Sequence, residues 1–122
     1  MPHARIDMHR TLQPKMREMS AAILKGMVDG FDMQPEDLFQ IFRLHEPGEL
    51  VFSRTHPDAN RTDIVFIEIL ATPRYSDETM QHALAAIAEE LSKIGIKRDN
   101  VVLVVTDAKA WHAPAEAWSG QR

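Results

Sequence analysis

The stretch Met33-Gln34-Pro35-Glu36-Asp37-Leu38-Phe39 is matched without a gap, 63 residues later, by Ile96-Lys97-Arg98-Asp99-Asn100-Val101-Val102. Each block has one apolar residue, four polar or turn-forming residues, and then the start of an apolar run. That is the pattern of a helix-to-strand junction, because the central residues favour turns and cannot be buried cheaply. Sliding the chain by the same 63 residues sets Ile6 on Ile69 and Pro2 on Val65, so that the first strand falls on the third. An equal spacing at separate places reads as an internal duplication of one supersecondary unit.

Outward from that junction, His3–Met8 alternates Ala4, Ile6 and Met8 against His3, Arg5 and Asp7, the period of a half-buried strand. After Pro14, the residues Met16, Met19, Ile23 and Met27 recur at helical spacing, with Gly30 placed to end the helix. Leu38-Phe39-Gln40-Ile41-Phe42 is a nearly continuous apolar run of the kind expected in a strand covered on both faces. These elements make a first β-α-β unit over 1–46. Pro47, Gly48, Pro57 and Asn60 mark 47–60 as a connector, in which Leu50-Val51-Phe52 is expected to form a brief hairpin arm.

The same order then repeats over 61–106. A strand at Ile64–Ala71 is followed by a helix striped with Met80, Leu84, Ile87, Ala88 and Leu91, by Gly95 as its C-cap, and by a strand at Val101–Val105. Residues 107–122 form a C-terminal tail. The chain of 122 residues thus reads as one α/β (α+β) domain: two tandem β-α-β units forming a four-stranded sheet with two helices on one face. Two helices cover only one sheet face. Since the strands read as apolar on both faces, the other face is expected to be covered by further copies in a closed symmetric oligomer.

Composition narrows the function. The absence of cysteine excludes disulfides and thiolate metal sites and is consistent with a reducing, cytoplasmic setting. The longest apolar run, Ile64–Ala71, is interrupted by Glu68 and is far shorter than the roughly 20 residues needed to span a membrane. The polar N-terminus lacks an apolar signal core, so no membrane association is expected. A net charge of −4 without a basic patch argues against nucleic acid as a partner. The six histidines are scattered, with no HExxH and no other metal-ligand spacing. No glycine-rich phosphate loop is present, and Met16, Met19 and Met27 read as core. Neither a metal nor a cofactor is expected.

Several features together resemble the tautomerase superfamily: Pro2 directly after Met1, the duplicated plan, Pro35-Glu36-Asp37-Leu38-Phe39-Gln40-Ile41, Arg61-Thr62-Asp63-Ile64-Val65-Phe66-Ile67, and Pro73-Arg74 before the second helix. More narrowly, they are similar to the long-chain members of the 4-oxalocrotonate tautomerase-like group with two fused units, in the branch that includes malonate semialdehyde decarboxylase. The resemblance implies a homotrimer, an amino-terminal proline in a pocket at the end of the first strand, and cofactor-free chemistry on small α-keto, enol or β-carbonyl carboxylates. It implies a catalytic aspartate at Asp37, a substrate-carboxylate arginine at Arg74, and a pocket-wall aromatic at Trp111. Three positions depart from the pattern. Thr72 stands where the decarboxylase branch has a second arginine, Leu12 where an arginine is usual in the first strand-to-helix turn, and Ala113 where an aromatic follows the tryptophan.

The chemistry of these residues agrees with that implication. With Met1 removed, Pro2 carries a secondary amine; a free terminal amine titrates near about 7.7–8.0, and an apolar pocket with a cationic neighbour lowers it. A neutral amine held by its ring is a well-positioned general base. Arg74 offers a planar fork for a carboxylate, its alternative being a solvated arginine at a helix start. Asp37 either orients a water or polarises a substrate carbonyl, or else bonds its own turn. Thr72 and Trp111 are candidate substrate-pocket residues, with tail packing the alternative for Trp111. Arg5 and Arg43 read as surface or interface charges able to reach a neighbouring subunit's pocket. The expected activity is keto-enol isomerisation of small enolisable carboxylates. The alternatives are decarboxylation or hydration of β-carbonyl or acetylenic acids by a protonated Pro2, and a non-catalytic trimeric binding module.

Overall fold

A computed structural model of the chain describes residues 2–72, 74–110 and 112. Strand β1 (His3–His9) leads through a 3-10 stretch at Arg10–Lys15 into helix α1 (Met16–Phe31), and β2 (Gln40–His45) follows. After the connector come β3 (Val65–Ala71), α2 (Asp77–Lys93), a single 3-10 turn at Arg98–Asn100, and β4 (Val101–Asp107). The four strands form one mixed sheet in the order β2-β1-β3-β4.

The duplication is visible in the strand register. Ala4 pairs with Gln40 and Val65 pairs with Val101, both in parallel and both 36 residues apart. Where the two units meet, β1 runs antiparallel to β3, with Ala4 opposite Ile69 and Ile6 opposite Ile67. The 63-residue shift exchanges these two pairs. The two units are therefore related by a pseudo-two-fold axis between β1 and β3.

The helices pack together on one face of the sheet. Ala4, Ile6 and Met8 of β1 and Val65, Ile67 and Ile69 of β3 meet Met19, Ile23, Met27, Ile87 and Leu91, all buried. Each residue in this layer removes apolar surface from water, about 1.5–3 kcal/mol for a fully buried large side chain. Helix α2 starts on Ser76, whose Oγ accepts from the Thr79 amide at 3.1 Å, and Gly95 follows its end with φ +90, as a C-terminal glycine should.

Gly30 does not end α1; the helix continues to Phe31 and closes on Asp32 in the left-handed conformation, φ 55. Gly30 is instead a contact residue. A Cβ on it would lie 2.3 Å from the Ala83 Cα, and one on Gly26 would lie 2.6 Å from the Ile87 Cα. The missing side chains let α1 and α2 touch backbone to backbone.

Two further expectations are corrected. Leu50-Val51-Phe52 forms no hairpin arm, and Val51 is 88% exposed. The second strand begins at Gln40 rather than Leu38, and it is not covered on both faces: Ile41 stays 49% exposed. Nor is the open sheet face apolar throughout. Its centre is charged, with Arg5 3.7 Å from Glu68 and with Asp7 held by Arg43 at 2.9 Å and His45 at 2.7 Å. Apolar residues share this face, with half-exposed Ile41 on β2 and Val104 on β4 at its edges and Phe66 and Leu70 on β3 opposite Asp7 and His3. Among the described residues, no helix is long and apolar enough to cross a membrane.

Candidate active site

At one end of the sheet β1 and β2 begin while β3 and β4 finish. Pro2 sits there, directly before β1, with its side chain fully buried. On one flank, the Ala4 amide donates to the Phe39 carbonyl at 3.0 Å and ties the Asp37–Phe39 segment to β1. On the other flank, His3 pairs with Leu70, so the end of β3 at Ala71 runs beside Pro2, and Thr72 follows directly after it. Arg74 follows in the short link between β3 and α2. Its Nη2 donates to the Tyr75 hydroxyl at 3.3 Å, and its guanidinium lies 5.2 Å over the Tyr75 ring. Tyr75 in turn packs on Phe31 at a centroid distance of 4.7 Å, so the end of α1 supports the arginine.

The backbone amide of Asp37 donates to the Gln34 carbonyl at 3.0 Å, which closes the turn without the side chain. Among the described residues, the buried Asp37 Oδ1 has no hydrogen-bond partner, and the buried Thr72 Oγ1 and Arg61 Nε also have none. Burial pushes the Asp37 carboxyl above the ordinary carboxylate range, against the pull of the chain's amino terminus and of Arg74. Those opposing charges locate Asp37 within electrostatic reach of both. His3 is shifted down, by burial first and by Arg5 next, which favours the neutral imidazole. His3, Leu38, Phe39, Gln40 and Ile41 line a hollow of about 370 Å³ next to this cluster.

Thus Pro2, Asp37, Thr72 and Arg74 are brought to one end of the sheet. Trp111 lies outside the described residues. Arg5 and Arg43 are on the open face in ion pairs with Glu68 and Asp7. Among the described residues there is no group of three or more histidine, aspartate or glutamate side chains suited to a metal ion. Tyr75 was not singled out by sequence; the aromatic following Arg74 is a signal only once α1 is known to end against it.

The pseudo-two-fold axis supplies a comparison inside the molecule. At the opposite end, Val65 occupies the position of Pro2, Asn100 that of Asp37, His9 that of Thr72 and Thr11 that of Arg74. Asn100 is fully engaged there: its Oδ1 accepts from the Thr62 amide at 3.0 Å and its Nδ2 donates to the Thr62 hydroxyl at 3.1 Å. His9 is bonded to Asp63 at 2.7 Å.

The fold is similar to that of FG41 malonate semialdehyde decarboxylase inhibited by 3-bromopropiolate, with a TM-score of 0.84 at 22% identity over 97% of this chain and 95% of that one. It is also similar to a second malonate semialdehyde decarboxylase, with a TM-score of 0.82 at 22% identity over 98% of both chains. A wild-type fused 4-OT described as a symmetric trimer gives a TM-score of 0.72 at 9% identity over 87% of this chain and 85% of that one. No curated protein sequence matches the chain. A family model described as tautomerase enzyme matches residues 37–119, most of the chain, and the chain therefore belongs to that family.

Proposed function

We propose that the protein, once Met1 is removed, is a cofactor-independent tautomerase that interconverts keto and enol forms of small enolisable carboxylates. The observation that carries this reading is the meeting of buried Pro2 with Arg74 and with two buried oxygen atoms, on Asp37 and Thr72, that lack partners. Arg74 binds the substrate carboxylate through its fork. The Pro2 nitrogen takes a proton from the carbon beside the carbonyl, and the electron pair of that C–H bond moves toward the carbonyl oxygen. The Pro2 ammonium then gives that proton to the enolate oxygen, which forms the enol and restores the neutral amine, and the reverse sequence returns the keto form. Burial of Asp37 favours its neutral form, which can donate to the developing enolate. The apolar surroundings of Pro2 disfavour its ammonium form and keep the base available near neutral pH.

We further propose a cytoplasmic homotrimer. The trimer is supported by the fused 4-OT neighbour described as a trimer and by the half-exposed Ile41 and Val104 at opposite edges of the open face. A second reading, decarboxylation or hydration of a β-carbonyl or acetylenic acid, is favoured by Asp37 and by the likeness to malonate semialdehyde decarboxylase. It is weakened by Thr72, since a hydroxyl cannot replace a cation.

The test has two parts. Intact-mass measurement should show that the purified chain lacks Met1, because a retained methionine leaves Pro2 as an amide nitrogen with no basic lone pair. The processed protein should then interconvert the tautomers of phenylpyruvate, followed by enol absorbance. Activity on β-carbonyl acids alone would transfer the assignment to the second reading.

A further inference from the structure

Thr72 is 8% exposed, and its hydroxyl has no hydrogen-bond partner among the described residues. Buried polar groups are nearly always paired, because an unpaired one has lost its water without replacement. The corresponding position at the other end of the sheet, His9, obeys that rule through Asp63. The exception at Thr72 stands where β3 ends, at the Pro2 end of the sheet, and a second one, the Asp37 Oδ1, stands at the same end shortly before β2. Two buried oxygen atoms without partners at the end of the sheet that holds Pro2 mark a place where a ligand supplies the missing partners. Neither is cationic, so a carboxylate brought against them gains no charge neutralisation. A carbonyl or enol oxygen is uncharged, and a hydroxyl donor suits it.

We infer that the Thr72 hydroxyl donates a hydrogen bond to the uncharged carbonyl or enol oxygen of the substrate, and so selects oxo acids over plain carboxylates that Arg74 alone would hold equally well. This rests on the tautomerase reading and adds to it the residue that recognises the reacting oxygen. The Asp37 carboxyl serves the same oxygen from the other flank. Discrimination of this kind is strong, since an analogue lacking the oxygen leaves the buried hydroxyl unpaired.

The experiment measures Kd by calorimetry on the processed protein for two probes that differ only in that oxygen, phenylpyruvate and 3-phenylpropanoate. The wild-type protein should favour phenylpyruvate by about tenfold or more. Thr72→Val, close in shape but without the hydroxyl, should bring the two Kd values together, and Thr72→Ser should restore the preference. A Thr72→Val protein that keeps the wild-type ratio overturns the inference, as does a wild-type protein that binds both probes equally. Either result leaves intact any Pro2-dependent turnover of phenylpyruvate. Binding of neither probe by the wild-type protein overturns this inference and the tautomerase reading together.

Discussion

The two ends of the sheet are built from the same unit, with the same 36-residue strand register, yet they differ in how the matched residues Asn100 and Asp37 are satisfied. At the Asn100 end an amide meets both needs of Thr62, donor and acceptor, and the network closes on itself. At the Pro2 end the matching residue is Asp37, a carboxyl whose buried Oδ1 has no partner among the described residues. Val65 is an interior residue of the chain and can never carry an amine, whereas Pro2 can once Met1 has gone. In the proposed reading the Asn100 copy of the repeat satisfies its matched residue internally, while the Pro2 copy offers it to a ligand.

That contrast can be attacked directly. The largest effect expected is for Pro2→Ala, which replaces the ring-held secondary amine by a mobile primary one and should lower kcat by about 10²–10⁴ with little change in KM. The counterpart Val65→Ala should leave kcat untouched and cost about 2 kcal/mol of stability, read by urea denaturation. Equal kinetic damage from both would erase the distinction between the ends.

Next in size, Arg74→Ala should raise KM by about 10–100-fold, from the loss of a charged hydrogen bond to the substrate carboxylate, and Thr11→Ala should not. Steady-state kinetics on one substrate separates them. An Arg74→Ala enzyme with unchanged KM would remove the carboxylate role.

Asn100→Asp should then destabilise the protein by about 1–3 kcal/mol at neutral pH, because it buries a charge where an amide had donated to Thr62. The smallest effect is for Asp37→Asn. Burial raises the folded-state pKa of this carboxyl, so the unfolded chain loses the proton first as pH rises. The native state is therefore disfavoured progressively as pH climbs from the ordinary aspartate value through the raised one. Asp37→Asn should shift the urea midpoint slightly upward at pH 7 and not at pH 3. A fall at pH 7 would mean that the ionised form has partners at this end after all.

The duplication and its junctions were legible because turn chemistry is local: Pro35-Glu36-Asp37 and Arg98-Asp99-Asn100 announce themselves without reference to the rest of the chain. What failed was whatever depends on a distant neighbour. Gly30 has the look of a helix end, and only the approach of Ala83 shows why a glycine is required inside α1. Leu38–Phe42 reads as a doubly covered strand until its pairing with β1 sets Arg43 beside Asp7 on the open face. In the site, Pro2, Asp37, Thr72 and Arg74 were all named from the sequence, and the structure brings them to one end. Tyr75 was not, since its packing on Phe31 joins residues far apart in the chain.

The backbone contact at Gly30 makes the spacing between the helices a dimension of the pocket. Gly30 is followed by Phe31, Phe31 carries Tyr75, and Tyr75 carries Arg74. A methyl group added at position 30 must push Ala83 away, and Gly30 directly precedes the first ring of this series of contacts. Under the role proposed for Arg74, a change in the buried seam between the helices should alter substrate fit while touching neither the ligand nor the residues facing it.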